Sequence, residues 1–96
     1  MATRYLVLYD IADPERLRHV HGVVKAFGTH VQDSVYEALL TAKERVKLEG
    51  LLREKMHLVH DQVLFVDLGD AAKPTVPAVV AVGVPYTPQR RGSVIV

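Results

Sequence analysis

The residue with the clearest chemical potential in this sequence stands at the end of its first apolar run. Residues Tyr5 to Tyr9 are all aliphatic or aromatic, and the acid Asp10 follows them directly. A carboxylate held at the end of a rigid strand suits Mg²⁺, which commonly binds through one or two carboxylates and keeps several of its waters. Acids at strand ends also commonly begin a turn, so the residues alone leave both roles open for Asp10.

Phosphate binding is the second chemistry that the side chains offer. Arg16 and Arg18 lie on a predicted helix, and Arg90 and Arg91 stand together near the C-terminus. Arginine contacts phosphate backbones without reading base sequence. The competing interpretation is a solvated surface with ordinary ion pairs, and it is favoured for residues 43–55, where basic side chains alternate with glutamates.

The remaining polar and aromatic candidates offer weaker chemistry. Ser34 has no histidine that the sequence places beside it, so we expect a hydrogen-bond donor rather than a nucleophile. Tyr9 is suited either to stacking on a base or to core packing. His19 and His21 are two positions apart on a helix and therefore point in different directions. With five histidines, no cysteine and no acid cluster beside the histidines, the sequence does not predict a zinc site.

Local patterns predict the elements that hold these residues. Asp13, Pro14 and Glu15 form a helix start, and Thr41 with Glu44 matches a capping box. The predicted elements are a strand at 5–9, a helix at 14–27, strands at 30–32 and 35–40, a helix from the Thr41 cap to about His57, and strands at 63–68, 78–82 and 94–96. A single bent strand over 29–40 fits the sequence nearly as well.

Apolar spacing indicates which faces are buried. In the second helix the expected buried stripe consists of Val46, Leu48, Leu51, Leu52 and Met56. In the first helix the apolar residues that follow at helical spacing are Leu17, Val20, Val24 and Phe27. The aromatic residues Tyr5, Tyr36 and Phe65 are expected in the core or at an interface.

The order of the elements predicts the fold class. Strand, helix, strand, strand, helix, strand is the split βαβ arrangement. We therefore expect an α+β protein, a ferredoxin-like βαββαβ sandwich with an extra C-terminal strand, in a single domain over 1–96. Two helices cover one face of such a sheet, and a sheet-to-sheet homodimer would cover the other. Because 94–96 are apolar strand formers, we expect the extension 83–96 to pair with the partner protomer.

The composition excludes several functional classes. The 96 residues are 49% hydrophobic and 24% charged, which is ordinary for a folded domain and unlike a disordered chain. Without cysteine the chain forms no disulfides and performs no thiolate chemistry, and its net charge of +1 does not by itself mark a nucleic-acid binder. It has no signal-peptide pattern and no apolar run near the roughly 20 residues of a membrane span. We therefore expect a cytoplasmic protein that does not enter a membrane.

Four stretches of the sequence resemble the CRISPR-associated protein 2 family. They are YLVLYDIAD at 5–13, FGTHVQDSVYEALL at 27–40, the helix at 45–53 followed by DQVLFVDL at 61–68, and SVIV at 93–96. Together with the spacing between them they cover nearly the whole chain. A strand ending in tyrosine and aspartate, followed by VQ-x-SVYE, is a specific combination, whereas a strand-ending YD alone is weak.

The resemblance implies an assembly and a function. It implies a ferredoxin-like homodimer whose C-terminal strand crosses to the partner's sheet. It also implies work with the CRISPR-associated integrase, protein 1 of the same system, in the capture of foreign DNA as new spacers. Many proteins of this kind are described as metal-dependent nucleases acting on single-stranded RNA or double-stranded DNA. We therefore expect a protein that binds duplex DNA, bridges the integrase and acts as a Mg²⁺-dependent endonuclease.

The resemblance also assigns catalytic residues. The family's metal-binding aspartate falls on Asp10, and its neighbouring tyrosine falls on Tyr9. In the homodimer, one Asp10 from each chain would meet its symmetry mate across the two-fold axis. The two carboxylates would then share one Mg²⁺ that also binds substrate phosphate oxygens.

The expected nucleic-acid contacts come from other positions. The family's serine falls on Ser34 and its helix arginines most nearly on Arg16 and Arg18, and we add the two C-terminal arginines as candidate contacts. Where the family often has an arginine before VQ, this chain has His30. A phosphate contact from His30 would depend on pH.

Two other functions stay open from the sequence. The protein could be a purely structural DNA-binding adaptor without catalysis. It could also be a small regulatory domain, or a toxin-like RNase, outside any CRISPR system, because ferredoxin-like folds host many functions.

Overall fold

In the computed structural model, which describes residues 1–74 and 78–89, the elements follow the predicted order. They are β1 (Thr3–Asp10), α1 (Pro14–Phe27), β2 (Thr29–Gln32), β3 (Val35–Leu40), α2 (Ala42–Lys55) and β4 (Gln62–Asp70). The prediction of an α+β, ferredoxin-like βαββαβ fold is therefore confirmed. No helix in these described ranges is long and apolar enough to cross a membrane.

The four strands form one antiparallel sheet in the order β2-β3-β1-β4. Strand β1 is central, because Val7 pairs with Tyr36 of β3 on one side and with Phe65 of β4 on the other. Its pairing ends where Asp10 meets Gln62 at one end of the β1–β4 ladder. This register places the Asp10 carboxylate at the end of the sheet.

The core lies between the sheet and the two helices. Alternate residues of β1 point toward the helices, so Tyr5, Val7 and Tyr9 are buried there. The other buried members of the cluster are Val20, Val24, Tyr36, Ala38, Leu40, Leu48 and Leu52. Phe65 packs against them, so the core positions predicted for the aromatic residues of the strands are confirmed.

Helix α1 has the predicted bounds because particular residues cap both of its ends. The Asp13 side chain accepts hydrogen bonds from the backbone N–H groups of Glu15 and Arg16, at 3.1 and 3.0 Å. At the other end Gly28 is required by a close approach rather than by a left-handed backbone. A Cβ atom on Gly28 would lie 2.6 Å from the carbonyl oxygen of Glu37. The glycine therefore lets the end of α1 lie directly against β3.

Helix α2 begins as predicted and ends earlier. The Thr41 hydroxyl accepts from the N–H of Glu44 at 3.2 Å, and the Glu44 carboxylate accepts from the N–H of Thr41 at 2.8 Å, which confirms the capping box. The helix ends at Lys55 rather than near His57. The N–H of His57 donates to the Asp61 carboxylate at 2.7 Å and so leaves the helical pattern.

The buried face of α2 is narrower than predicted. Leu48 and Leu52 are buried, and Leu51 and Met56 are half-buried. Val46 is 68% exposed, so its assignment to the buried stripe is wrong. Two residues before Leu48, it lies about 200° around the helix from that residue and points to solvent.

A tight turn at Asp33 and Ser34 separates β2 from β3, so the prediction of two strands is confirmed and a single bent strand is excluded. Ser34 has a φ of 60°, which is uncommon for a residue other than glycine. The N–H of Tyr9 donates to the Ser34 carbonyl at 3.1 Å. This hydrogen bond fixes the strained turn beside the end of β1.

The C-terminal part differs from prediction. Residues 78–82 form no strand, so the strand predicted there is wrong, and Val80 and Val82 are 86% and 98% exposed. In the described part the segment 78–89 is held by side chains rather than by a strand ladder. The strand expected at 94–96, and with it the crossing to a partner protomer, lies outside the described residues.

A buried ion pair holds the last described residue. Arg4 and Glu37 are 3% and 2% exposed, and their side chains meet at 3.0 Å. Arg4 donates to the Gln89 carbonyl at 2.7 Å, and the Gln89 N–H donates to Glu37 at 2.6 Å. The Thr29 hydroxyl also bonds to the side-chain oxygen of Gln89. The segment 78–89 is thereby fastened to the sheet face opposite the helices.

The rest of that helix-free face is apolar and partly open. Leu6 and Leu8 of β1 point to it, and their partners on β4 are Val66 and Leu64. Leu64 is 48% exposed and Val66 is 41% exposed. A contiguous apolar patch of this kind commonly marks an interaction site.

Candidate functional site

A cleft of about 460 Å³ opens where β1 ends and α1 begins. Three residues expected from the sequence line it together: Tyr9, Arg18 and Ser34. His21 and Asp33 also line it, with Pro14 and Leu17 supplying apolar surface. The cleft, which we call the Tyr9 cleft, thus offers an aromatic ring, a guanidinium, an imidazole and a hydroxyl. Guanidinium and hydroxyl groups are common phosphate contacts, and aromatic rings are common partners of unstacked bases.

The backbone explains why these side chains converge. Arg18 and His21 are three positions apart on α1, so they lie on the same face of the helix. Ser34 reaches the cleft because its turn is bonded to the backbone of Tyr9. The sequence spacing of the two helical residues would have been enough to predict that His21 joins Arg18.

Tyr9 is a neutral hydrogen-bonding group rather than a base. Burial, followed by the nearby Tyr36 phenol and the Asp33 carboxylate, raises the pKa of Tyr9 above its usual value, and the Ser34 side chain opposes the shift. The rings of Tyr9 and Tyr36 stack with centroids 6.4 Å apart and planes 25° apart. The phenol therefore stays protonated at neutral pH, which suits a donor and does not suit a nucleophile or general base.

Tyr36 links two histidines to the cleft. His21 Nε2 lies 2.8 Å from the Tyr36 hydroxyl, which is hydrogen-bond distance. His30, exposed on the outer strand β2, meets the Tyr36 ring edge-on at 5.4 Å. His30 therefore lies on the outer side of Tyr36, and it does not itself line the Tyr9 cleft.

Asp10 lies outside the Tyr9 cleft. Consecutive side chains of a strand point to opposite faces, so the buried Tyr9 and the exposed Asp10 point apart. Within one chain the two expected catalytic residues therefore do not share a face. Asp10 instead belongs to the same face of β1 as Leu6 and Leu8, next to the open apolar patch.

The Asp10 carboxylate is suited to be one ligand of a metal site. Its carboxylate has the oxygen chemistry that Mg²⁺ prefers and is exposed to solvent. In residues 1–74 and 78–89 there is no group of three or more histidine, cysteine, aspartate or glutamate side chains able to hold a metal ion. Within these described residues Asp10 therefore belongs to no three-ligand set, and a second copy would be a source of further protein ligands.

Arg16 forms an ion pair within the protein. Its Nε and Nη2 atoms donate to the two oxygens of Asp61, at 2.8 and 3.1 Å. The Arg16 side chain is 30% exposed, whereas that of Asp61 is fully buried. A phosphate contact by Arg16 would compete with this bidentate pair, whereas Arg18 lines the cleft and is exposed.

Asp61 is the residue near the site that the sequence analysis missed. Besides Arg16, its carboxylate accepts from the N–H of Ala12 at 2.9 Å and from the N–H of His57 at 2.7 Å. Chiefly the Arg16 hydrogen bond, and then those two backbone donors, hold the pKa of Asp61 well below its usual range although burial opposes them. The side chain therefore remains a carboxylate and joins the loop after β1, helix α1 and the end of α2.

We expect Asp61 to make folding stability depend on pH in acid. A carboxyl group whose folded-state pKa is depressed stabilises the fold fully above its unfolded-state pKa, and that contribution is lost as the pH falls through the folded-state value. The thermal midpoints of the wild type and of Asp61→Asn should differ most above about pH 5, and the difference should shrink progressively as the pH falls below about 4 toward the depressed folded-state pKa. A difference that stayed constant between about pH 7 and pH 3 would contradict this assignment.

The two C-terminal candidates, Arg90 and Arg91, lie outside the described residues. The other expected contacts fall into three places: Arg18 and Ser34 in the Tyr9 cleft, His30 on β2, and Arg16 bound to Asp61. Among the described residues of one chain, the expected nucleic-acid contacts are therefore spread over three places.

Comparison with known proteins decides the family. Residues 1–76 match the model of the CRISPR associated protein Cas2 family. The chain belongs to the Cas2 family. A CRISPR-associated endoribonuclease Cas2 of Geobacter sulfurreducens is 34% identical over 96% of this chain and 96% of its own length. Another, of Rhodospirillum rubrum, is 40% identical over 70% of this chain and 66% of its own length.

A solved Cas2 structure supports the same conclusion. Cas2 of Streptococcus pyogenes matches with a TM-score of 0.63 and 34% identity, over 69% of this chain and 86% of its own. The resemblance noted in the sequence is thus confirmed, and the Cas2 fold agrees with the observed element order.

Proposed function

We propose that this Cas2 family member works as a homodimer that binds duplex DNA and bridges the CRISPR-associated integrase, with Mg²⁺-dependent endonuclease activity at a pair of Asp10 carboxylates. The observation that carries the proposal is the position of Asp10. It is an exposed acid at the end of the central strand, on the same sheet face as the open apolar patch. The names of the Geobacter and Rhodospirillum relatives support a nuclease acting on RNA.

The helix-free face supports the homodimer. Leu64 and Val66 are about half exposed although they lie in the middle of a sheet strand, and burying them against a second copy would remove that apolar area from water. A two-fold pairing through this face presents the same patch from both chains. Because Asp10 extends from the same face, such a pairing brings the two Asp10 carboxylates toward each other.

The chain's own residues then hold and orient the substrate. When bound between the Asp10 carboxylates, Mg²⁺ would polarise a phosphoryl oxygen and lower the pKa of an attacking water. Arg18 would contact the phosphate backbone, and the Ser34 hydroxyl and the protonated Tyr9 phenol would donate hydrogen bonds. In this arrangement Tyr9 is a binding residue at the Tyr9 cleft rather than a catalytic partner of Asp10.

A non-catalytic adaptor is the second candidate function, and the placement of Tyr9 favours it. Tyr9 and Asp10 face apart, and among the described residues Asp10 belongs to no group of three side chains able to hold a metal ion. DNA binding and bridging would then persist without cleavage. In that case the basic surface, and not Asp10, determines function.

Binding measurements with the full-length protein test the nucleic-acid part of the proposal. We expect Arg18→Gln to weaken binding to a labelled DNA duplex. Because one phosphate contact is lost, the magnitude of the slope of log affinity against log salt concentration should decrease by about one. Arg53→Gln, which removes another exposed positive charge, from α2, is the matched control. Equal affinities and equal salt slopes for the two variants would remove Arg18 and its cleft from the proposed interface.

A further inference from the structure

The Asp10 carboxylate has no side-chain support of its own. Among the described residues it makes no hydrogen bond or ion pair, so the backbone alone sets its direction. A metal ligand needs an outer contact that orients it, and loss of such contacts typically weakens metal affinity. The direction of the Asp10 carboxylate therefore depends on the contacts that fix the backbone next to it.

Asp61 contacts the loop that follows Asp10 and stands next to the residue that pairs with Asp10. Its carboxylate accepts from the N–H of Ala12, two residues after Asp10, at 2.9 Å. Asp61 also directly precedes Gln62, the β4 residue that pairs with Asp10. The same buried carboxylate therefore fixes the loop leaving Asp10 and lies at the start of the strand that pairs with it.

Arg16 completes the arrangement. It binds both oxygens of Asp61 and so supplies the charge that allows a carboxylate to remain buried there. Charge-assisted hydrogen bonds to ionised groups are about twice as strong as neutral ones, which makes Asp61 a firmer anchor for Ala12 than an amide would be. Since Arg16 is the second residue after Pro14, the same contact also sets where α1 begins relative to Asp10.

We propose that Asp61 is a positioning residue for Asp10, acting through Ala12 and braced by Arg16. Its link to metal binding rests on the proposed function, but its effect on the Asp10 backbone does not. The assignment also changes the role expected for Arg16. That arginine acts through Asp61 inside the fold instead of serving as a free phosphate contact.

Amide hydrogen exchange tests the positioning directly. Asp61→Asn and Arg16→Gln should each raise exchange at residues 11–13 by about tenfold, measured well below the unfolding temperature. The matched controls are Asp67→Asn, whose carboxylate bonds only to the nearby Gly69 N–H within the described chain, and Arg53→Gln. Unchanged exchange at 11–13 in Asp61→Asn would overturn the proposal.

Mn²⁺ titration separates positioning from a merely structural role. Paramagnetic broadening at Asp10 should need about tenfold more Mn²⁺ in folded Asp61→Asn than in the wild type or in Asp67→Asn. A variant that lost only thermal stability, with equal Mn²⁺ binding at Asp10, would contradict the proposal. If the wild type itself showed no Mn²⁺ at Asp10, the metal part of the proposed function would fail. Exchange at 11–13 would then still decide the positioning.

Discussion

The change Asp10→Asn should lower Mg²⁺-dependent cleavage of nucleic acid by about 100-fold or more. Asparagine keeps the size of the side chain but removes the charge that holds the ion, and the loss of about 3 kcal/mol of transition-state stabilisation corresponds to about that factor. Initial rates on labelled single-stranded RNA and double-stranded DNA, with Mg²⁺ and with a chelator, measure the effect.

The matched control for Asp10→Asn is Asp67→Asn, which removes an exposed acid from β4. The control should cleave at the wild-type rate and should lose that rate in chelator. Equal cleavage by the wild type and by Asp10→Asn, insensitive to chelator, would identify the activity as contamination. The adaptor function would then be the better account of the protein.

The change Glu37→Ala should destabilise the fold by about 3 to 5 kcal/mol, because it leaves the Arg4 guanidinium buried without its carboxylate. Both side chains are almost fully buried, so water cannot replace the missing partner. For a domain whose total stability is of order 5 to 15 kcal/mol, this is a large fraction. Chemical denaturation monitored by circular dichroism measures the change.

The double variant Arg4→Met/Glu37→Leu distinguishes loss of the ion pair from burial of an unpaired charge. Replacing a buried ion pair by apolar side chains of similar size is often neutral, so most of the lost stability should return. The Gln89 backbone would still lack both of its charged partners. We therefore expect limited proteolysis within 78–89 to become faster in the double variant. Wild-type stability of Glu37→Ala would show that the pair is not buried in solution.

The sequence predicted local structure well where the residues that determine an element lie within that element. The cap residue Asp13 and the capping-box pair Thr41 and Glu44 correctly predicted where the two helices begin, because a capping side chain acts within one helical turn. The end of α2 and the position of Gly28 were set by distant residues instead. The N–H of His57 donates to the Asp61 carboxylate instead of continuing the helix. Gly28 is needed because the backbone of β3 passes close to it.

Prediction failed where several weak preferences competed. The valines in 78–82 favour a strand, but the segment is placed by Gln89 on the buried ion pair. Val46 is apolar but lies on the wrong side of the helix. In both cases a long-range contact or the helical angle outweighed the type of residue.

In the candidate site, too, the features set by local spacing could be predicted and those set by distant contacts could not. Arg18 and His21 can be grouped from their spacing, and strand alternation alone implies that Tyr9 and Asp10 face apart. The pairing of Arg16 with Asp61 spans 45 positions and follows no local pattern. For that reason Arg16 looked from the sequence like a free phosphate contact.

A crystal structure of the dimer grown with Mn²⁺ is the decisive test of the paired Asp10 site, because the anomalous signal of the metal locates the ion. We expect one ion on the two-fold axis, with the two Asp10 carboxylates no more than about 4 Å apart as ligands of the same ion. A monomer, or a dimer with its two Asp10 side chains on opposite sides, would contradict it.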